Sequence, residues 1–282
     1  MTVSLGAFAL IVLVALFRTP AKGPTIIALR IAVFGLIVTI TLGAILASSF
    51  GWQLALPLTE ITHVHAAWGL GGWSLLLVAG VAYLVVPMFQ LTPPYPQWLA
   101  RSFSVTLFFL LVEVAGGLLT NSLALLSDAA HMMTDVLALG ISLFAVRMAR
   151  RPADAKRTYG YARMEAIGAL INGGLLFLVA GYILWTAVGR FSQPPHVESN
   201  GMLLVAVLGL IVNLIAMKLL QAGAGESLNM RGAYLEVWSD MLGSLGVIAG
   251  ALLIRFTGWT VVDPIIAVLI GLWVLPRTLT LL

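Results

Sequence analysis

Five acidic side chains and one histidine stand inside long apolar runs: Glu113, Asp128, His131, Asp135, Glu236 and Asp240. An ionised carboxylate at the centre of a bilayer costs ~2.5–3.5 kcal/mol on insertion scales, so a set of this size calls for a compensating positive charge. A bound cation supplies one, and without it such groups would protonate. Spacing sharpens the expectation. His131 and Asp135, in His-Met-Met-Thr-Asp, are one helical turn apart and project from a single helix face. Glu236 and Asp240, in Glu-Val-Trp-Ser-Asp, repeat that pairing on a second segment. Two helices that each offer two ligands close a four-coordinate shell, the number Zn²⁺ prefers. One nitrogen with three carboxylates also suits Mn²⁺, Fe²⁺ or Co²⁺. No nucleophile accompanies the cluster, so movement of an ion is expected rather than hydrolysis, with no prosthetic group and no enzymatic activity.

The remaining intramembrane polar groups are read as structural. Glu113 and Asp128 have no matching partner at helical spacing and are assigned to helix–helix contacts, as are Asn172 and Asn213. Asp263-Pro264 reads as the N-cap and first residue of the last helix.

The elements that must carry these groups follow from composition. Only 9% of the 282 residues are charged while 61% are hydrophobic, with a mean hydropathy of +1.05. A soluble domain needs about a quarter charged, so lipid is the solvent for most of this chain. Without cysteine there are no disulfides, thiolate zinc sites or iron–sulfur ligands. The apolar start lacks a basic leader, so no cleavable signal peptide is expected. The chain is expected to be all-α, a polytopic membrane protein of about nine transmembrane helices. The spans are residues 3–17, 25–48, 64–90, 101–119, 122–149, 163–191, 200–222, 231–255 and 261–281. Breaks fall at Pro20 and Gly23, Pro93-Pro94-Tyr95-Pro96, Arg151-Pro152, Pro194-Pro195 and Gly258, where water replaces lost backbone partners.

Nine spans place alternate loops on opposite sides. Of the 15 basic residues, 13 fall on one side and only Arg190 and Arg255 on the other. The N-terminus is then expected outside and the C-terminus in the cytoplasm of a bacterial inner membrane. The sequence pI near 9.7 reflects this loop bias, with the Arg147–Arg163 loop facing anionic lipid, and calls for no nucleic-acid partner.

Three stretches carry a family resemblance. They are Gly117-Leu-Leu-Thr-Asn-Ser-Leu-Ala-Leu-Leu-Ser-Asp-Ala-Ala-His-Met-Met-Thr-Asp135, Thr158-Tyr-Gly-Tyr-Ala-Arg-Met-Glu-Ala-Ile-Gly-Ala-Leu-Ile-Asn172, and Asn229-Met-Arg-Gly-Ala-Tyr-Leu-Glu-Val-Trp-Ser-Asp-Met-Leu-Gly-Ser244. Over residues 101–282 the sequence resembles the cation diffusion facilitator family, in particular its bacterial cobalt–zinc–cadmium resistance exporters. The resemblance implies a six-helix transmembrane domain in which helices two and five hold the ion, with protons moving the other way. His131, Asp135 and Asp240 match the family's ligand positions. Expected partners are therefore divalent cations (Zn²⁺, with Cd²⁺ and Co²⁺), protons and the lipid bilayer, with a homodimer as a candidate assembly.

Position 236 departs from the family, with Glu where most relatives have His, which bears on selectivity and proton stoichiometry. The histidine-rich segments and the C-terminal cytoplasmic domain that usually supports dimerisation have no counterpart before Leu282. Residues 1–100 form a separate three-helix segment. Its His63-Val-His65 and Gly69-Leu-Gly-Gly72 weakly resemble NnrS-like or haem–copper-type membrane proteins. An i, i+2 pair points to different faces, so these are read as interfacial histidines at a span end. A fused or truncated gene is the expectation for this layout. The competing reading is a membrane protein that binds metal without transporting it.

Overall fold

The computed structural model describes residues 2–52, 56–91, 93–95, 97–149, 161, 163–221 and 228–281. Every regular element among them is helical. In chain order these are α1 (Thr2–Arg18), α2 (Pro24–Trp52), α3 (Leu58–Ala67), α4 (Leu76–Gln90), α5 (Gln97–Thr120), α6 (Leu123–Ala149), α7 (Met164–Ser192), α8 (Ser199–Gln221), α9 (Leu228–Thr257) and α10 (Val262–Leu281). A π-helical stretch, Trp68–Leu75, joins α3 to α4 without a break. Each expected span coincides with a helix to within a few residues, except that the third begins at Leu58 rather than residue 64. Six helical segments among the described residues are long and apolar enough to cross a bilayer, namely 24–49, 58–90, 103–120, 166–192, 199–218 and 237–257. Helix α1 and residues 262–273 are apolar but shorter. The chain is a multi-pass membrane protein. The expected break at Arg151-Pro152 lies outside the described residues.

The chain divides into two compact units, Met1–Ala115 and Gly116–Leu282, with the division inside α5. In the first, Pro24 opens α2 where its missing N–H is no loss. Nearly two turns further, the Arg30 guanidinium donates to the Leu16 carbonyl through Nε at 3.2 Å and Nη2 at 2.9 Å, and its carbon lies 4.8 Å from the Phe17 ring centroid. That ties the last turn of α1, where carbonyls lack intrahelical partners, to α2. Farther along, Gly35 lets α2 approach the π stretch so closely that any Cβ there would fall on the Gly72 carbonyl. Phe34, Trp68 and Phe108 close around this contact edge to face.

His65 does not stand at the start of its helix. Because the helix starts at Leu58, His65 lies within it, and its Nδ1 donates to the Thr39 carbonyl of α2 at 3.1 Å. His63 is exposed, so the two rings do point apart.

In the second unit, α6, α7 and α10 pack closely together and α8 pairs with α9, whereas α6 and α9 meet along a much shorter seam. Small residues permit the tight approaches. A Cβ on Gly117 would collide with Leu126 of α6, and one on Gly116 with Val205 of α8. The outward faces are apolar, with Leu178, Trp185 and Val188 of α7 exposed, as a lipid-facing surface requires.

Candidate metal centre

Helix α6 starts at a sharp corner. Asn121 takes the left-handed conformation (φ 56°) that ends α5, and the Ser122 N–H bonds back to the Gly117 carbonyl at 3.0 Å. Ser122 then caps α6, its Oγ accepting from the Leu125 N–H at 3.2 Å. The Leu123 and Ala124 amides are met from far along the chain. Asp263 accepts from Leu123 at 2.7 Å, from Ala124 at 3.1 Å and from the Ser122 hydroxyl at 2.6 Å. With the Ser122 N–H on the Gly117 carbonyl, all four orphan donors of this helix end, 122–125, have partners. Asp263 therefore does not cap its own helix, as its sequence context predicts. It lies in the first turn of α10 and caps α6 instead.

From that fixed start, Asp128, His131 and Asp135 fall on one face of α6, three and then four residues apart. His131 Nε2 lies 3.5 Å from Asp135 Oδ2 and 3.7 Å from Asp240 Oδ1 of α9. Three of the four expected ligands thus converge, from two helices. Glu236 lies one turn before Asp240 on α9, but its side chain is outside the described residues. Among the described residues, no three of these groups already form a closed metal shell.

Exposure is graded along α6. Asp128 is 4% exposed, the His131 side chain 10% and the Asp135 side chain 31%, so the cluster opens toward the C-terminal end of α6 and is closed at the other. Beside His131, a cavity runs between α6, α7 and α10, bordered by Ser127, Val179, Ile183 and Ile270.

Asp128 and Glu113 are both buried. Asp128 stands at a helix–helix contact, as expected of it. It faces Gly243 of α9, where an added Cβ would lie 3.4 Å from its Oδ1. Three residues back on α6 and three forward on α9 from the 131/240 pair, this is the register of antiparallel helices. Asn213 and Asn172 are the interhelical ties expected of them. The first donates to Ser244 Oγ and the second to the Ala138 carbonyl, each at 3.3 Å.

Residues 99–282 match the profile of the cation efflux transmembrane domain. The chain belongs to this cation efflux family. It is 64% identical over 174 residues to the metal cation efflux system protein CzcD of Cupriavidus metallidurans, covering 62% of this chain and 55% of that one. It is 45% identical over 176 residues to a cadmium, cobalt and zinc/H(+)-K(+) antiporter of Bacillus subtilis (62% and 57%). With the zinc transporter ZitB of Escherichia coli it shares 46% over 178 residues (63% and 57%). The chain thus spans about half the length of the curated relatives it matches, and residues 1–98 lie outside the family match.

Proposed function

We propose that this chain moves divalent cations, Zn²⁺ foremost and Cd²⁺ or Co²⁺ with it, out of the cytoplasm in exchange for protons. His131, Asp135, Glu236 and Asp240 would hold the ion. The observation that carries the reading is His131 Nε2 poised between carboxylates from two different helices. The antiparallel register of α6 and α9 supports pairing position 236 with position 135, which would complete the set. The names of the relatives, which include a zinc transporter and a cadmium, cobalt and zinc antiporter, support the substrate class.

The chemistry follows from competition for one set of side chains. Metal ligands must be deprotonated to bind, so the ion displaces protons on loading and protons displace the ion on release. Nε2 of His131 lies between the two carboxylates, so all three groups are available to one ion. The graded exposure corresponds to a cluster open to the cytoplasm, given nine crossings with the N-terminus outside. Domain bounds of 1–100 and 101–282, and a homodimer, belong to the same reading. For residues 1–100 we retain only a membrane segment of separate descent, without assigning haem to His65. The role is that of a transporter and not of an enzyme.

Uptake of Zn²⁺ into inverted membrane vesicles, with and without an imposed proton gradient, tests this. The proposal predicts gradient-dependent uptake that Asp240→Ala abolishes. Uptake no greater than in empty vesicles, with the protein correctly inserted, would favour a core that binds without transporting.

A further inference from the structure

Between His131 and the closed end of the candidate site, the same three helices meet at three successive levels. At the first, the cavity beside His131 is bordered by Ser127 of α6, Val179 and Ile183 of α7, and Ile270 of α10. At the second, Leu123, Ile183, Ala187 and Ala267 form a buried apolar cluster, again with members from α6, α7 and α10. At the third, Asp263 is fully buried and accepts from the Ser122 hydroxyl and from the Leu123 and Ala124 amides. Arg190, in the last turn of α7, approaches the same carboxylate through Nη1 at 3.3 Å. Its guanidinium also donates to the Asn121 carbonyl at 2.6 Å and to Asn121 Oδ1 at 3.0 Å. The polar level thus lies at the starts of α6 and α10 and the end of α7, beyond the apolar one. Leu123 joins the two, with its side chain in the cluster and its amide on Asp263.

We propose that this stack is the outer closure of the ion's route. The cavity beside His131 leads outward between α6, α7 and α10, the apolar cluster seals it, and the Arg190–Asp263 contact latches the seal. The inference rests on the transport reading and on its orientation, which puts this end of α6 outside. An apolar constriction sheds water and so bars a hydrated cation or a proton without any charge of its own. Two of the four side chains in the cluster are alanines, so a small parting of the helices admits water. The chemistry of the latch suits a contact that opens and re-forms. Hydrogen bonds exchanged for water change the free energy little, because the amides at the start of α6 and the carboxylate are hydrated as they separate. A buried ion pair adds little to stability for its cost, and its fixed geometry specifies one closed arrangement. Opening here parts the start of α6 from α7 and α10 while His131 keeps facing Asp240 of α9, so the ligand set stays whole.

The chain has no cysteine, so a single introduced thiol reports without background. Ala187→Cys places one in the apolar cluster, and Met202→Cys places an equally buried one on α8. A charged, membrane-impermeant methanethiosulfonate is added to each face of the membrane in turn, and the rate of modification is read by mass spectrometry. With the latch intact, position 187 should react slowly from both faces. Asp263→Asn should raise its rate about tenfold from the outer face alone, as expected when the open form becomes more populated. Arg190→Gln leaves the three α6 donors on the carboxylate and should raise it by a smaller factor. Position 202 should keep its slow rate in both variants, which separates an opened route from general loosening. An unchanged rate at 187 in folded Asp263→Asn protein would overturn the proposal, as would equal gains at 187 and 202 or a gain from the cytoplasmic face. Should Asp263→Asn fail to fold, Arg190→Gln carries the same test, and no gain at 187 there would overturn the latch. Modification requires no transport, so a wild type that moves no Zn²⁺ defeats the transport reading while these rates still decide whether the stack closes a water route.

Discussion

His131 lies between two carboxylates at distances typical of ion pairs, and each can be removed without deleting the ring. Asp240→Asn keeps the shape and deletes a charged ligand contributed by α9. Zn²⁺ affinity is expected to fall about a hundredfold, roughly 2.8 kcal/mol, as read by calorimetry. Asp135→Asn should show a loss of the same order, and an affinity unchanged in both would remove these residues from the site. Because bound protons exclude the metal, wild-type affinity should also fall as pH is lowered, and release protons to buffer on binding. These residues were legible in the sequence for a plain reason: charge is rare in apolar runs, and a one-turn spacing fixes a shared face. Asp128 faces α9, in keeping with the helix–helix contact expected of it, but its partner position was not legible. Its neighbour Gly243 comes from α9, where nothing local marks it. Asp263 was harder still, since its donors lie some 140 positions away and its own Asp-Pro context imitates an ordinary cap.

At the scale of elements, the helices were legible and their joints were not. Apolar runs bounded by Pro and Gly gave the helix ends closely, but nothing in Trp68–Leu75 announces a π turn except its three glycines. Gly35 and Gly72 reveal their purpose only when α2 is laid against that stretch. Gly35→Ala should therefore destabilise the first unit by about 1–3 kcal/mol, the usual range for overpacking, because the obstructing atom is a backbone carbonyl that cannot rotate away. Gly6→Ala, with open space around it, is the control and should leave the melting temperature unchanged. Ser122→Ala removes the α6 cap and should cost about 1 kcal/mol. Equal melting temperatures for Gly35→Ala and Gly6→Ala would show that the close approach of α2 to the π stretch is not a constraint.

For the molecule as a whole, the basic-residue bias makes an orientation claim that labelling can check. A single cysteine at Gln193, in the connection between α7 and α8, should react with a membrane-impermeant maleimide added to intact cells. One at Ala153, between α6 and α7, should react only after permeabilisation, and the reverse pattern would invert the topology. The membrane character was legible because it depends on a sum over the chain, its hydropathy. Which helices pack against which was not, because it depends on which faces meet. The transport proposal stands or falls on coupled exchange at the 131/135/240 cluster. Its most direct test is purified protein in proteoliposomes, with Zn²⁺ entry and internal pH recorded together. Zn²⁺ entry accompanied by proton exit, both lost in Asp240→Asn, is expected. Zn²⁺ entry without proton movement, or flux that survives that substitution, would contradict it.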